Sequence, residues 1–242
     1  MNFNFIHSHP EGDLTMKKII IAVLIVLVAI AFIGGGLTAW ASGTHRRLNL
    51  NHFTATPLTT QTQILSQSPK QIRFDLRTAV IKIEPGRTNQ LKLTNAGQNQ
   101  YQVNQTGTSW SLTEKQANRH QLEIGQSPTI TLTLADPQAI QQLTINQLNG
   151  TLNLNDLTTN NLAIHHHNGT TFAQNLTLTG AGEVTKDNGR TTIQHLTSNG
   201  LTVTIRTGQF KLNGQKTGRH YQQSGYQPLR ITSGSGQVSV SQ

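Results

Sequence analysis

Few of the ten histidines and ten carboxylates in this 242-residue chain are spaced for chemistry. His165, His166 and His167 run together, and His195 follows one repeat later, so imidazoles on neighbouring coils can approach metal-ligand range. Consecutive strand residues point to opposite faces, so only His165 and His167 share a side. No carboxylate in that repeat completes a ligand set, and the run reads as exposed polar strand. Glycoside cleavage needs two carboxylates across one bond. Residues 143–208 offer only Asp156, Glu183 and Asp187, with no evident partners. The serines lack a G-x-S-x-G elbow, and Gly234-Ser235-Gly236 reads as a turn. No glycine loop has phosphate-binding spacing. The absence of cysteine removes thiolate ligands, cysteine nucleophiles and disulfides. The chain is therefore expected to be no enzyme, with no metal and no cofactor. A carbohydrate-active β-helix is the least favoured reading.

The cations are more informative. Formal net charge is +9, and it is unevenly placed. Ten Lys and Arg lie from Arg46 to Arg119, none between Arg119 and Lys186, and seven from Lys186 to Arg230. Two basic strips result. Arg73, Arg77, Lys82, Arg87 and Lys92 form one, and Arg206, Lys211, Lys216 and Arg219 the other. Such strips attract anionic partners, here an anionic wall polymer or a host-surface glycan. Nucleic acid is not expected, because no recognition module is visible. Tyr101, Trp110, Tyr221 and Tyr226 can stack on sugars, although aromatics in β-proteins more often fill the core.

The elements that carry these residues are set by a repeat. Gly150, Gly169, Gly189, Gly208 and Gly236 are spaced 19, 20, 19 and 28 residues apart. Five residues before them stand Ile145, Ile164, Val184, Val203 and Ile231, and four after them Leu154, Ala173, Ile193, Leu212 and Val240. A fixed period of this length marks stacked coils. The fold class expected is all-β, a single-stack β-solenoid with coils of 19–20 residues over 143–242. One coil cannot bury enough side chains to offset its own ordering, so the coils must stack. The long last gap holds a polar insert, roughly Gln215 to Gln227, which reads equally as a guard for the open edge or as a binding loop. Short irregular strands precede the coils. Ile72, Phe74 and Leu76 alternate with polar residues, the phase shifts near Thr78, and Ala79, Ile81 and Ile83 continue. Further strands fall at Leu91/Leu93, Tyr101/Val103, Trp110/Leu112, Leu122/Ile124 and Ile130/Leu132/Leu134.

Upstream, Ile19 to Ile33 is unbroken apolar sequence, and the 23 residues 19–41 are long enough to cross a bilayer as a helix. Lys17 and Lys18 flank it, and Trp40 suits an interface. The organisation expected is a short cytoplasmic segment (1–18), a membrane helix (19–41), a polar spacer (42–69) and an exported β-repeat domain (70–242). The N-terminus is inside. The alternative is a signal peptide cleaved after Ala41, because Ala39-Trp40-Ala41 has the form of a cleavage site. Met16-Lys17-Lys18 resembles an export start, so 1–15 are a candidate untranslated stretch, and the choice of Met1 or Met16 stays open.

Ala79 to Gly86 (AVIKIEPG), Leu91-Lys92-Leu93, Trp110-Ser111-Leu112, Ile130 to Pro137 (ITLTLADP) and the later Asn-Gly and Ser-Gly repeats occur in an order that resembles a bacterial family. That family comprises membrane-anchored, adhesin-like surface proteins with β-strand-repeat domains of unknown function. The resemblance covers about 70–242. It implies a solenoid-like β-fold outside the membrane and no catalytic residues. The job expected is adhesion or binding of anionic envelope polymers. The alternative is an envelope-stress sensing accessory acting through membrane partners.

Overall fold

A computed structural model describes residues 11–242, with side chains from Met16 onward. The choice between Met1 and Met16 turns on residues largely outside these. Helix α1 (Glu11–Gly43) opens the chain. Its Met16–Gly43 part, 28 residues, is long and apolar enough to cross a membrane. Ile19 through Ile33 stand exposed along it.

All fourteen strands that follow belong to or branch from one stack. The strands are β1 (Arg46–Asn49), β2 (Thr54–Ile64), β3 (Gln71–Pro85), β4 (Gln90–Gly97), β5 (Tyr101–Thr106), β6 (Ser109–Glu114) and β7 (Glu123–Ile124). Next come β8 (Thr129–Leu134), β9 (Ile140–Leu178), β10 (Gly182–Thr197), β11 (Asn199–Leu212), β12 (Gln215–Thr217), β13 (His220–Gln227) and β14 (Leu229–Val240).

Each regular coil bends at two corners. In the first, Leu143 and Ile145 point inward, the chain turns at Gly150 (φ 123°), and Leu152 and Leu154 continue the core. A second turn at Asp156 (φ 52°) brings Leu157 inward. Asn175 (φ 53°) and His195 (φ 54°) hold the same corner one and two coils on. These types tolerate left-handed backbone, and they bond along the stack. Asn175 Nδ2 donates to Asp156 Oδ1 (2.6 Å), and His195 Nδ1 lies 3.0 Å from Asn175 Oδ1. The first corner is stricter. At Gly189 (φ 115°) a Cβ would collide with the carbonyl oxygen of Gly169 one coil away, so close backbone approach as well as φ demands glycine. Beside this corner Asn168 Nδ2 donates to Asn149 Oδ1 (3.2 Å), Asn188 Nδ2 to Asn168 Oδ1 (2.9 Å), and Ser235 Oγ to Asn188 Oδ1 (2.5 Å).

Spatial order departs from chain order at the far end. β14 lies between β10 and β11, parallel to both, with Gly189 opposite Gly236 and Gly236 opposite Gly208. The chain passes from β10 to β11 across one layer, turns through β12 and β13, and returns to fill the gap. The insert is an edge guard: β12 and β13 pair antiparallel to the outer edge of β11.

The near end extends further than the repeat predicts. β3 is itself a coil, with Ile72 opposite Leu143 and Ala79 opposite Gly150. The phase shift near Thr78 is that coil's corner. β6 and β8 together form the layer beneath β3, β4 pairs with β8, and β2 pairs with β4. The stretch 42–69 is therefore not a spacer. Thr54–Ile64 is a sheet strand, and β1 pairs with both β2 and β7. Its side chains are polar because they cover an end of the stack. One core runs throughout, with Phe74 and Trp110 in edge contact at 5.2 Å.

Candidate functional site

The two basic strips occupy opposite parts of the stack. Lys82 and Lys92 both face Thr131, one layer to each side. Arg87 is exposed in the turn after β3. Arg73 is held by Asp75 through two bonds, 2.6 and 3.0 Å. Arg77 is not available to any polymer, which corrects the expectation for that residue. It is 6% exposed, and its Nη2 lies 3.2 Å from Glu114 Oε1 and 3.0 Å from Glu123 Oε1. Its own amide donates to Glu114 Oε2 (2.7 Å). Gln100 Nε2 also donates to Glu114 (3.0 Å), and Arg47 Nη1 donates to Gln100 (3.2 Å). Burial, then the Glu114 charge, raises the Tyr101 phenol well above its usual range. This network ties β1 to the coils.

The far strip converges. Arg206 on β11 and Arg219 beside β13 border a groove of about 650 Å³. Thr185, Thr232, Thr204 and His220 form one outward row across its successive layers. Gly234 leaves the adjoining row open between Asp187 and Arg206, and the Arg206 guanidinium lies over it. Arg219 Nη1 donates to the Arg206 backbone carbonyl (3.3 Å), which holds the Arg219 guanidinium against β11. Among the described residues neither guanidinium has a carboxylate partner. Lys211 and Lys216 are paired across β11 and β12 in the same terminal layers. No Asp or Glu follows Asp187, whereas six Lys and Arg do. The groove can bind phosphate or carboxylate groups through guanidinium forks over a hydroxyl floor.

The histidine run splits as strand geometry requires. His165 and His167 face outward and His166 is fully buried. His167 Nδ1 bonds Asp187 Oδ2 at 2.7 Å. No group of three metal-ligating side chains occurs among the described residues. Of the aromatics, Trp110 is core, Tyr221 packs on Phe210 at 5.5 Å, and Tyr226 is exposed.

One polar cluster escaped the repeat pattern. Three residues before successive corner glycines, Gln147, His166, Lys186 and Ser233 all point into the core, each at most 2% exposed. Thr171 and Thr191 face them from the next arm. Lys186 Nζ lies 3.2 Å from His166 Nδ1 and 3.4 Å from Thr171 Oγ1, and His166 Nδ1 lies 2.8 Å from that hydroxyl. Burial, then the Lys186 charge, lowers the His166 pKa to about 3. Burial lowers that of Lys186 to about 8. The signal was the spacing itself: position −3 from glycine is inward, and here it carries polar residues.

No curated protein sequence matches the chain. Among solved structures, a putative cell adhesion protein from Clostridium sporogenes aligns with a TM-score of 0.57 at 13% identity, covering 76% of this chain and 99% of that one. A putative adhesin from Bacteroides fragilis aligns with a TM-score of 0.34 at 11% identity, over 76% of this chain and 96% of that one. The first likeness is one of fold. The family model described as Toastrack DUF4097 matches residues 70–242, which take in the coils from β3 to β14 and the basic groove. The chain belongs to the Toastrack DUF4097 family.

Proposed function

We propose that this is a non-catalytic, membrane-anchored surface protein whose far end grips anionic envelope polymer. The single observation that carries the reading is the pair of guanidiniums, Arg206 and Arg219, without carboxylate partners among the described residues, beside a threonine row in a groove whose one carboxylate, Asp187, is bonded to His167. Geometry adds reach. α1 joins the stack at β1, while the groove lies in the terminal layers β14, β11 and β13. With the N-terminus inside, the basic end faces away from the membrane. The name given to the structurally similar Clostridium sporogenes protein, a putative cell adhesion protein, agrees with a surface role.

The test is titration of full-length protein in neutral detergent with poly(glycerol phosphate), at low and high salt. Binding should weaken steeply with salt. Arg206→Gln with Arg219→Gln should lower affinity at least tenfold and flatten the salt dependence. Salt-independent binding, or a double variant that binds like the parent, would overturn the assignment.

A further inference from the structure

The near end of the stack carries an unusual pair of exposed apolar side chains. Outside α1, the described residues include only four large exposed hydrophobics: Phe53, Ile64, Leu122 and Tyr226. Phe53 is 87% exposed and Leu122 is 62% exposed, and they belong to two loops that are bonded together. Leu50 N donates to the Leu122 carbonyl (2.9 Å), Leu122 N to Asn51 Oδ1 (2.6 Å), and Asn49 Nδ2 to Gln121 Oε1 (2.6 Å). Asn49 Oδ1 in turn accepts from the amides of Asn51 (2.9 Å) and His52 (3.2 Å), which shapes the β1–β2 turn.

These loops have little freedom to leave the end of α1. Only Thr44 and His45 separate α1 from β1. Thr44 N still bonds the Trp40 carbonyl (2.9 Å), and Leu58 N on β2 bonds the His45 carbonyl (2.8 Å). Ala41, in the last helical turn, is 1% exposed, because it packs into the junction. β1 has four residues, so the turn stands about 13 Å along that strand from its start. Arg46, at the α1 end of β1, and Lys115 and Arg119, in the loop that leads to Leu122, are exposed.

We infer that the β1–β2 turn and the loop 115–122 form a foot on the bilayer surface, with Phe53 and Leu122 seated among the lipid headgroups and Arg46, Lys115 and Arg119 facing anionic phosphates. The occupant is the membrane crossed by α1, and the inference rests on that reading of α1. Continuity with the helix end selects the lipid surface over a soluble partner. Aromatic and aliphatic side chains flanked by cations suit the interfacial layer.

The chain has no cysteine, so single reporters are easily placed. Phe53→Cys, Leu122→Cys and, as a remote control, Tyr226→Cys are labelled with an environment-sensitive fluorophore. Each full-length protein is reconstituted into vesicles of phosphatidylcholine and phosphatidylglycerol. The expected result is blue-shifted emission at 53 and 122, at least halved by nitroxide-labelled lipid, with no effect at 226. Unquenched, water-like emission at 53 and 122 from protein that floats with the vesicles overturns the foot alone. Protein that fails to float overturns the membrane reading of α1, and the foot with it.

Discussion

The residue that most shapes this rod's response to its surroundings is His166, which is fully buried and bonded to Thr171 and Lys186. Its pKa falls from 6.5 to about 3 on folding. Between those values the unfolded chain binds a proton that the folded chain refuses, so stability is full above about 6.5 and declines as pH falls. The slope is roughly 1 kcal/mol per pH unit. Chemical denaturation at pH 7 and pH 5 should show this loss, and His166→Gln should shrink it; equal losses in both proteins would remove His166 from the account. Lys186 acts at the other limb. Its pKa falls from 10.5 to about 8, so folding gains stability as pH rises through that interval. A buried ammonium whose contacts are imidazole and hydroxyl rather than carboxylate costs desolvation that ion pairing does not offset. Lys186→Met should therefore leave the melting temperature unchanged or raise it, and should abolish the alkaline gain.

At the scale of one coil, stability depends on how closely neighbouring backbones approach at the glycine corner. Gly189→Ala places a methyl group against the Gly169 carbonyl and demands positive φ from a residue that resists it. The expected cost is about 3 kcal/mol or more, read as a lower denaturation midpoint. Gly214→Ala, in an open hairpin turn at φ 79° with nothing near the added carbon, should cost less. Equal losses would show that φ alone governs the corner. These glycines were legible in the sequence because their period is fixed and their flanking aliphatics are inward. The β3 coil was not, because Ala79 stands where the glycine mark is sought. β1 and β2 were hidden for a different reason. β2 lies toward the end of the stack, so its faces are polar and show little inward–outward alternation, whereas β1 alternates but turns Arg47 and Asn49 inward, so no apolar pattern marks it. Arg77 looked like a surface cation because its partners, Glu114 and Glu123, lie 37 and 46 residues away in sequence.

At the scale of the whole molecule, the layer order was the feature least accessible to sequence. Every coil offers the same aliphatic rows and the same glycine, so any coil can pair with any other, and period alone favours none. The 28-residue gap marked an interruption without saying where the returning strand would go. In the structure Glu183 faces Arg230, and Arg230 faces Thr202. Two layers therefore separate Glu183 from Thr202, about 9.6 Å at sheet spacing and beyond disulfide reach. A stack in chain order would make those two residues neighbours and move Arg230 away from Glu183. Introduced cysteines discriminate, since the chain has none of its own. Under mild oxidation, Glu183→Cys with Arg230→Cys should crosslink, and so should Arg230→Cys with Thr202→Cys, while Glu183→Cys with Thr202→Cys should stay reduced. A crosslink between positions 183 and 202 with none between 183 and 230 would replace the interleaved order with a sequential one, whereas the 230–202 pair is adjacent in both and serves as the positive control. A sequential order would also move β14 out from between β10 and β11, and thereby dismantle the groove in which Thr185, Thr232 and Thr204 stand in one row beneath Arg206 and Arg219.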